Sequence, residues 1–399
     1  MRILFLASDF PSPRQPTRGT FNLALARALA RRHDLRCLAP VPWPVQWLSP
    51  NGGSPEPLPG AVSAAPTLQV WRPTYYYPPK IFRSRYHHWM AWSIREAVAK
   101  ATDNWRPDVV LSYWAHPDGA AGAIIAKRFS VPSAIIVGGS DVLLLPKDAS
   151  RKNAVIDALR AVDAVVTVSS HLKSAVVDLG IEPEKVHVWS QGVDSSIFHL
   201  GDKSAARARL GIVSPEPVLL CVARLEHVKG IDILLDACSH LTMCGAKFRM
   251  YIVGGGSGRA KLEKQSWGLG LTHNVFFIGP RGAAEIADWY RAADRTILSS
   301  RSEGLPNVLR ESLACGTRFI ATDVGGVREI AGPGDVLVPP QDPVALGMAV
   351  LASLTAAPPP APTPLPDWDD SAQALARILS FGNSESDPMP VSNVSLKSA

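Results

Sequence analysis

Twice along this chain, short and almost wholly apolar runs alternate with stretches of helical period, and that rhythm limits the folds open to it. The first series holds "RILFLAS", "LRCLAP", "LQVWRP", "DVVLSYW", "PSAIIVGG", "AVVTVSS" and "VHVWSQ". The second holds "PVLLCVAR", "KFRMYIVGG", "NVFFIG", "RTILSS", "RFIATD" and "DVLVP". Helical patterns such as "FNLALARALARR" and "DGAAGAIIAKRF" fall between several of them. A strand with one wet face alternates apolar and polar residues. These runs do not, so they predict parallel sheets covered on both faces by helices. Two such series predict an α/β protein of two doubly wound, Rossmann-like domains.

The polar stretch 195–217 is the best boundary between them, giving domains over 1–195 and 196–365. "AAPPPAPTPLP" (356–366) predicts a semi-rigid connector. After it, 366–381 predicts one capped amphipathic helix, and 382–399 has the composition of a disordered tail. No short solenoid-type repeat is present.

Composition supports this reading. Of 399 residues, 46% are hydrophobic and 19% charged, ordinary values for two packed cores. Nothing approaches the ~18 consecutive apolar residues of a membrane helix. The N-terminal apolar run is short and Asp9 with three prolines follows it, so it reads as a first buried strand and not a secretory signal. Five cysteines without a C-x-x-C suggest buried thiols in a reducing cytoplasm and no metal site. Charge is uneven: residues 1–190 carry 22 Lys+Arg against 14 Asp+Glu, the remainder 19 against 21. A basic first half implies an anionic partner: nucleic acid, an acidic membrane surface or a phosphorylated substrate.

In doubly wound sheets ligands bind beyond the carboxyl ends of the strands, so chemistry is sought there. In "SSRSEGLPNVLRESLACG" (299–316) a strand ends, and a loop holds Glu303, Gly304 and Leu305. Pro306 suits the first helical position. From Asn307 a helix follows, with Leu309 and Leu313 on its buried side. The free amides at that mouth favour a phosphate. Glu303 and Glu311 flank the spot, where they can accept hydrogen bonds from the hydroxyls of a sugar and a ribose. Placement gives the pair its meaning, because E-x7-E by itself equally describes a solvated helix face.

"VARLEHVKG" follows another strand and puts Arg224 and Lys229 at its end, a fork and an ammonium suited to a leaving diphosphate or else two surface cations. "YIVGGGSGRAKLEK" fails the dinucleotide fingerprint, since its third glycine position is Arg259 or Lys261. Gly254 and Gly256 remain either a close approach for a nucleotide or a tight turn. In the first half Gly19 stands at a helix entrance, and His116 stands just past a strand in "YWAHPDGAAG". Asp141 in "IIVGGSDV" either faces the acceptor side of the presumed cleft or caps its own turn. The D-x-D of Asp367 and Asp369 opens a helix, where Asp caps and complements the dipole; that reading is preferred to a metal pair. No Walker A loop, H-E-x-x-H or G-x-S-x-G occurs.

Together these segments resemble the retaining glycosyltransferases of family 4, which have the GT-B fold. The resemblance spans nearly the whole chain and is most specific in "SEGLPNVLRESLACGTRFIATDVGGVREI" and "VARLEHVKG". "SQGVDSSIF" is also similar, with Gln191 where the family usually has Asn. "RGTFN", "WAHPDG" and "GGSDV" look most like bacterial enzymes that assemble extracellular or cell-wall polysaccharide. The resemblance implies that Arg224 and Lys229 hold the donor diphosphate, Glu303 the transferred sugar and Glu311 the ribose. It places Gly304, Leu305 and Asn307 at the donor, Gly19 near the phosphates, and His116 beside the reacting carbon. Gly254, Gly256 and the "IGPRG" loop with Arg281 border the base, and the final helix crosses back to the first domain. It further implies a nucleoside-diphosphate-sugar co-substrate with no cofactor or metal, retention of configuration without a protein nucleophile, and a leaving phosphate that takes the acceptor's proton.

The expectation is therefore a cytoplasmic enzyme moving a sugar onto a glycan or lipid-linked acceptor in bacterial polysaccharide biosynthesis. Rival readings are a nucleotide-sugar epimerase of the same fold, a non-catalytic sugar- or nucleotide-binding protein, and, with no recognisable module to support it, nucleic-acid binding. The segment 75–100 interleaves Lys80, Arg83, Arg85 and Arg95 with Tyr86, Trp89, Met90 and Trp92. That mixture suits peripheral docking on anionic lipid, or else a helix packing its aromatics on the sheet.

Overall fold

The computed structural model describes residues 1–12, 18–47, 68–355 and 360–381. Every apolar run named above forms a strand. The first sheet contains β1 (Arg2–Leu6), β2 (Asp34–Leu38), β4 (Gln69–Trp71), β6 (Val109–Tyr113), β7 (Ser133–Val137), β8 (Ala164–Thr167) and β9 (Val186–Val188). Its order is β4-β2-β1-β6-β7-β8-β9 and all its pairs are parallel. The second contains β10 (Val218–Val222), β11 (Arg249–Val253), β12 (Val275–Gly279), β13 (Arg295–Leu298), β14 (Phe319–Thr322) and β15 (Val336–Val338), in the parallel order β12-β11-β10-β13-β14-β15. A separate two-stranded pair, β3 (Val41–Pro42) with β5 (Thr74–Tyr75), is too short for any periodicity to announce.

The continuous apolar runs have the cause expected of them. Ile3 and Phe5 point into one core cluster while Leu4 and Leu6 point into another, all fully buried. In β10, Leu219 and Cys221 enter one cluster, and Val218, Leu220 and Val222 enter the opposite one. Each sheet is thus covered on both faces.

In both sheets the strand order reverses once, between β1 and β6 in the first and between β10 and β13 in the second. Such a reversal opens a crevice at the carboxyl ends of the strands on either side. Gly19, His116, Arg224, Lys229 and Glu303 all follow these four strands.

The closing helix, Trp368–Leu379, returns to the first domain. Asp367 caps it by accepting from the amides of Asp369 and Asp370 at 2.8 and 3.0 Å. Its Ala372, Leu375 and Leu379 join the first domain's core, and Trp189 Nε1 donates to the Ser371 carbonyl at 2.7 Å. Asp369 pairs with Arg31 at 2.5 Å, so both carboxylates of the D-x-D are committed within the fold. Of the proline-rich connector, 360–366 has no regular secondary structure, while 356–359 and the tail expected over 382–399 lie outside the described residues. Among the described residues no helix is long and apolar enough to cross a membrane.

Candidate active site

The centre of the second domain is an ion pair. Lys229, on a 3-10 turn after β10, places its Nζ 2.6 Å from Glu303 Oε1, in the loop after β13. Ser300 Oγ donates to the same oxygen at 2.5 Å. The two charged side chains are 19% and 8% exposed, so water screens them little. Gly230 makes the approach possible. Its φ of +61° is left-handed, and a Cβ there would lie 2.1 Å from the Ser299 carbonyl oxygen. Arg224 is different: its side chain is 71% exposed, and its one ion pair among the described residues is with Glu226, at 3.7 Å.

The helix after this loop runs Asn307–Ala314. Pro306 is not its first helical residue, as the sequence suggested, but its cap, because ψ of 104° is extended. Leu309 and Leu313 are buried as expected. Asn307 Oδ1 is buried at the helix mouth without a hydrogen-bond partner among the described residues. Glu311 accepts from the Tyr290 hydroxyl at 3.1 Å, and burial pushes its carboxyl up to about 7. The two glutamates of the E-x7-E therefore have separate partners.

Gly254 and Gly256 have φ of +144° and +157°, and the turn presses on its own domain. A Cβ at Gly254 would lie 1.9 Å from the Ala223 carbonyl oxygen, and one at Gly256 2.7 Å from that of Leu225. The glycines thus seat the backbone on both sides of Arg224. Arg281 pairs with Glu285 at 2.7 Å and lines a cavity of about 600 Å³ with Tyr251, Ile278 and Trp289.

In the first domain Gly19 caps the helix Thr20–Ala30 at φ +63°, where a Cβ would lie 2.2 Å from the Asp9 carbonyl oxygen. His116 is 1% exposed. Its Nε2 lies 3.1 Å from Nδ1 of His87, and its own Nδ1 has no partner among the described residues. Burial, with the neighbouring His87 and Arg151, pushes the imidazole down to about 3, so it is neutral at physiological pH. Asp141 sits on the same side of the cleft, on the turn after β7. It is fully buried and accepts from the amides of Ala115, Gly138 and Gly139, so its carboxylate ties two loops together, as the capping alternative has it. Desolvation still raises it to about 6.

Across the cleft the two sets meet. A Cβ at Gly139 would lie 3.0 Å from Gly304 Cα, and Ser169 Oγ donates to the Gly304 carbonyl at 3.3 Å. Leu305 packs on the first domain's core, which makes it a contact between the two halves. Sequence reasoning missed His87, Ser300, Tyr290 and Ser169. It also missed Asp118, which accepts from the amide and hydroxyl of Ser8 at 2.6 and 3.0 Å and whose carboxyl burial raises to about 7. Only Asp118 carried a signal, as a charged residue within the "WAHPDG" loop.

Residues 19–197 match the family described as Glycosyltransferase Family 4, and residues 202–358 match Glycosyl transferases group 1. The chain belongs to the family 4-like glycosyltransferases. In this family 4 chain Gly19 opens the first matched segment, and Lys229 and Glu303 lie in the second. It is similar to a D-inositol 3-phosphate glycosyltransferase of Acidothermus cellulolyticus, 32% identical over 65% of this chain and 62% of that one. A namesake from Catenulispora acidiphila is 34% identical over 56% and 59% of the two chains. The matches thus span less than two thirds of these relatives' lengths. The fold is shared more widely. Sucrose-phosphate synthase from Thermosynechococcus elongatus superposes with a TM-score of 0.77, covering 96% of this chain and 99% of that one at 20% identity. Anabaena HepE, in complex with UDP and glucose, gives 0.70 over 95% and 99%, also at 20% identity. The family 4 chain therefore has the GT-B fold.

Proposed function

We propose that this protein transfers a sugar from a nucleoside-diphosphate donor to an acceptor hydroxyl with retention of configuration. The observation that carries the proposal is the buried Lys229–Glu303 pair at the switch point of the second sheet, facing the Gly138–Gly139 turn of the first. In this reading Glu303 accepts from sugar hydroxyls, and Lys229 and Arg224 stabilise the diphosphate as the bond from the anomeric carbon to phosphate oxygen breaks. The acceptor oxygen bonds to that carbon and its proton passes to the leaving phosphate. Neutral His116 offers its unpartnered Nδ1 to the sugar. Glu311 holds the ribose, and no metal is required.

UDP-sugars are the first donors to test, because HepE binds UDP. The acceptor we favour is a lipid-linked glycan of a bacterial polysaccharide, made at the cytoplasmic face of the membrane. What supports a membrane acceptor is a patch of the first domain where Tyr76, Ile81, Phe82 and Trp92 are all more than half exposed. Lys80 and Arg85 lie exposed beside it. Tyr86 and Met90, by contrast, are core residues. The names of the curated relatives make a phosphorylated polyol the second acceptor to try; nothing in them favours an epimerase.

The test is a panel of UDP- and GDP-hexoses screened by thermal shift, followed by transfer to both acceptor classes. One donor should stabilise the protein and yield a product with the donor's anomeric configuration. Inversion at that carbon, or an epimerised donor with no transferred sugar, overturns the reading.

A further inference from the structure

Glu329 reaches from the second domain to the first and fastens onto the start of a helix there. Its Oε2 accepts from the Ser170 amide at 2.8 Å and its Oε1 from the His171 amide at 2.9 Å. These are the first two amides of the helix Ser170–Asp178, which has no acidic residue of its own in the first turn. Free amides and a helix dipole favour a carboxylate at that position, and here the carboxylate comes from the other half of the molecule. The helix cap, Ser169, is shared in the same way: its Oγ accepts from Leu172 N at 3.2 Å and donates to the Gly304 carbonyl at 3.3 Å.

The turn that carries Glu329 is in turn built against the donor loop. Gly326 N donates to the Gly304 carbonyl at 2.9 Å. A Cβ at Gly325, whose φ is +58°, would lie 1.9 Å from the Glu303 carbonyl oxygen. A Cβ at Gly326 would lie 2.6 Å from the Gly304 carbonyl oxygen and 2.9 Å from Ser169 Cβ. Glu303, Gly304, the Gly325–Gly326 turn, Glu329 and the start of the Ser170–Asp178 helix thus form one unbroken chain of contacts across the cleft. Both oxygens of the Glu329 carboxylate are taken by the Ser170 and His171 amides.

We propose that Glu329, received by Ser169–His171, is a positioning residue that holds the two domains closed and sets the Glu303–Gly304 loop against the first domain. The proposal rests on the transferase reading for its effect on turnover and on the geometry alone for its effect on closure. Because Arg224, Lys229 and Glu311, which the transferase reading gives to the diphosphate and the ribose, lie on the second domain, losing the latch slows transfer without loosening the nucleotide.

Two substitutions break the latch from opposite sides. Glu329→Ala removes the acceptor. Ser170→Pro removes one donor at the first helical position, where proline is well tolerated, and the preceding Ser169 is already extended (φ −156°, ψ 158°) as a residue before proline must be. Each should lower kcat about tenfold or more, the scale of a lost hydrogen bond to a charged group, while UDP affinity by calorimetry stays within about twofold. The double variant should be no slower than Glu329→Ala, since both act on one contact. Full kcat in Glu329→Ala, or a parallel loss of UDP affinity, overturns the proposal. If no transfer is found with any donor, the scattering radius of the full chain decides instead. Glu329→Ala and Ser170→Pro, each folded by circular dichroism, should both be more expanded than wild type. Profiles identical to wild type overturn it.

Discussion

Lys229 Nζ lies 2.6 Å from Glu303 Oε1 although 74 positions separate the two residues in sequence. The contact exists because β10 and β13 are neighbours in the sheet, so the loops after them open at the same place. A buried pair of this kind commits each group to the other until a ligand arrives. Glu303→Ala or Lys229→Ala should each lower turnover by about 10²–10³, the usual loss for one preorganised electrostatic group. Lys229→Ala should also lower the melting temperature, since it leaves a buried carboxylate with only Ser300. The Lys229→Ala/Glu303→Ala double variant should recover stability but not turnover. Wild-type turnover in either single variant contradicts the assignment.

Arg224 has no such internal role. Its exposed side chain predicts that Arg224→Ala keeps the melting temperature of the wild type while losing turnover on a similar scale. A thermal scan beside a transfer assay separates this outcome from that of Lys229.

Glu311 supplies a pH signature. Burial raises its folded pKa to about 7, above the ordinary 4.5, so the folded protein holds a proton there that the unfolded chain has released. The stability this group contributes is present at low pH and is lost as pH rises through about 7. Glu311→Gln removes the dependence, so the wild type should lose stability relative to the variant between pH 5 and 7. Nucleoside-diphosphate affinity should rise across pH 7 in the wild type and stay flat in Glu311→Gln, as measured by calorimetry. A flat wild-type profile would falsify the ribose role.

Activity is expected to survive EDTA. Asp367 is spent on two helix amides and Asp369 on Arg31. Asp367→Ala should instead destabilise the closing helix by about 1 kcal/mol, the cost of a lost cap. Inactivation by chelator with recovery in Mn²⁺ or Mg²⁺ would show that a metal is used after all.

Membrane docking predicts weak, salt-sensitive flotation with anionic vesicles, at about 1 kcal/mol for each basic residue near the surface. Substituting Arg83 and Arg85 by Glu should reduce it, and Trp92→Ala should reduce it without changing its salt dependence. Absence of wild-type flotation at low salt removes the docking surface from the proposal.

The local sequence determined the thirteen strands of the two main sheets, their burial on both faces, the division into two domains and the capped last helix. Each of these follows from periodicity or from a residue's own backbone preference, which neighbours in sequence suffice to set. It also placed Gly19 at a helix entrance and His116, Arg224, Lys229 and Glu303 in the segments that follow strands. Tertiary structure decided what those residues touch. That Lys229 meets Glu303, that Asp141 turns to three backbone amides, and that His87 backs His116 all depend on strand order and helix packing, which leave no mark on spacing. The contact of Glu329 with Ser170 spans 159 positions and two domains. Glu329 sits in "GGVREI" as one more surface carboxylate, and only the approach of the two sheets gives it a helix to hold.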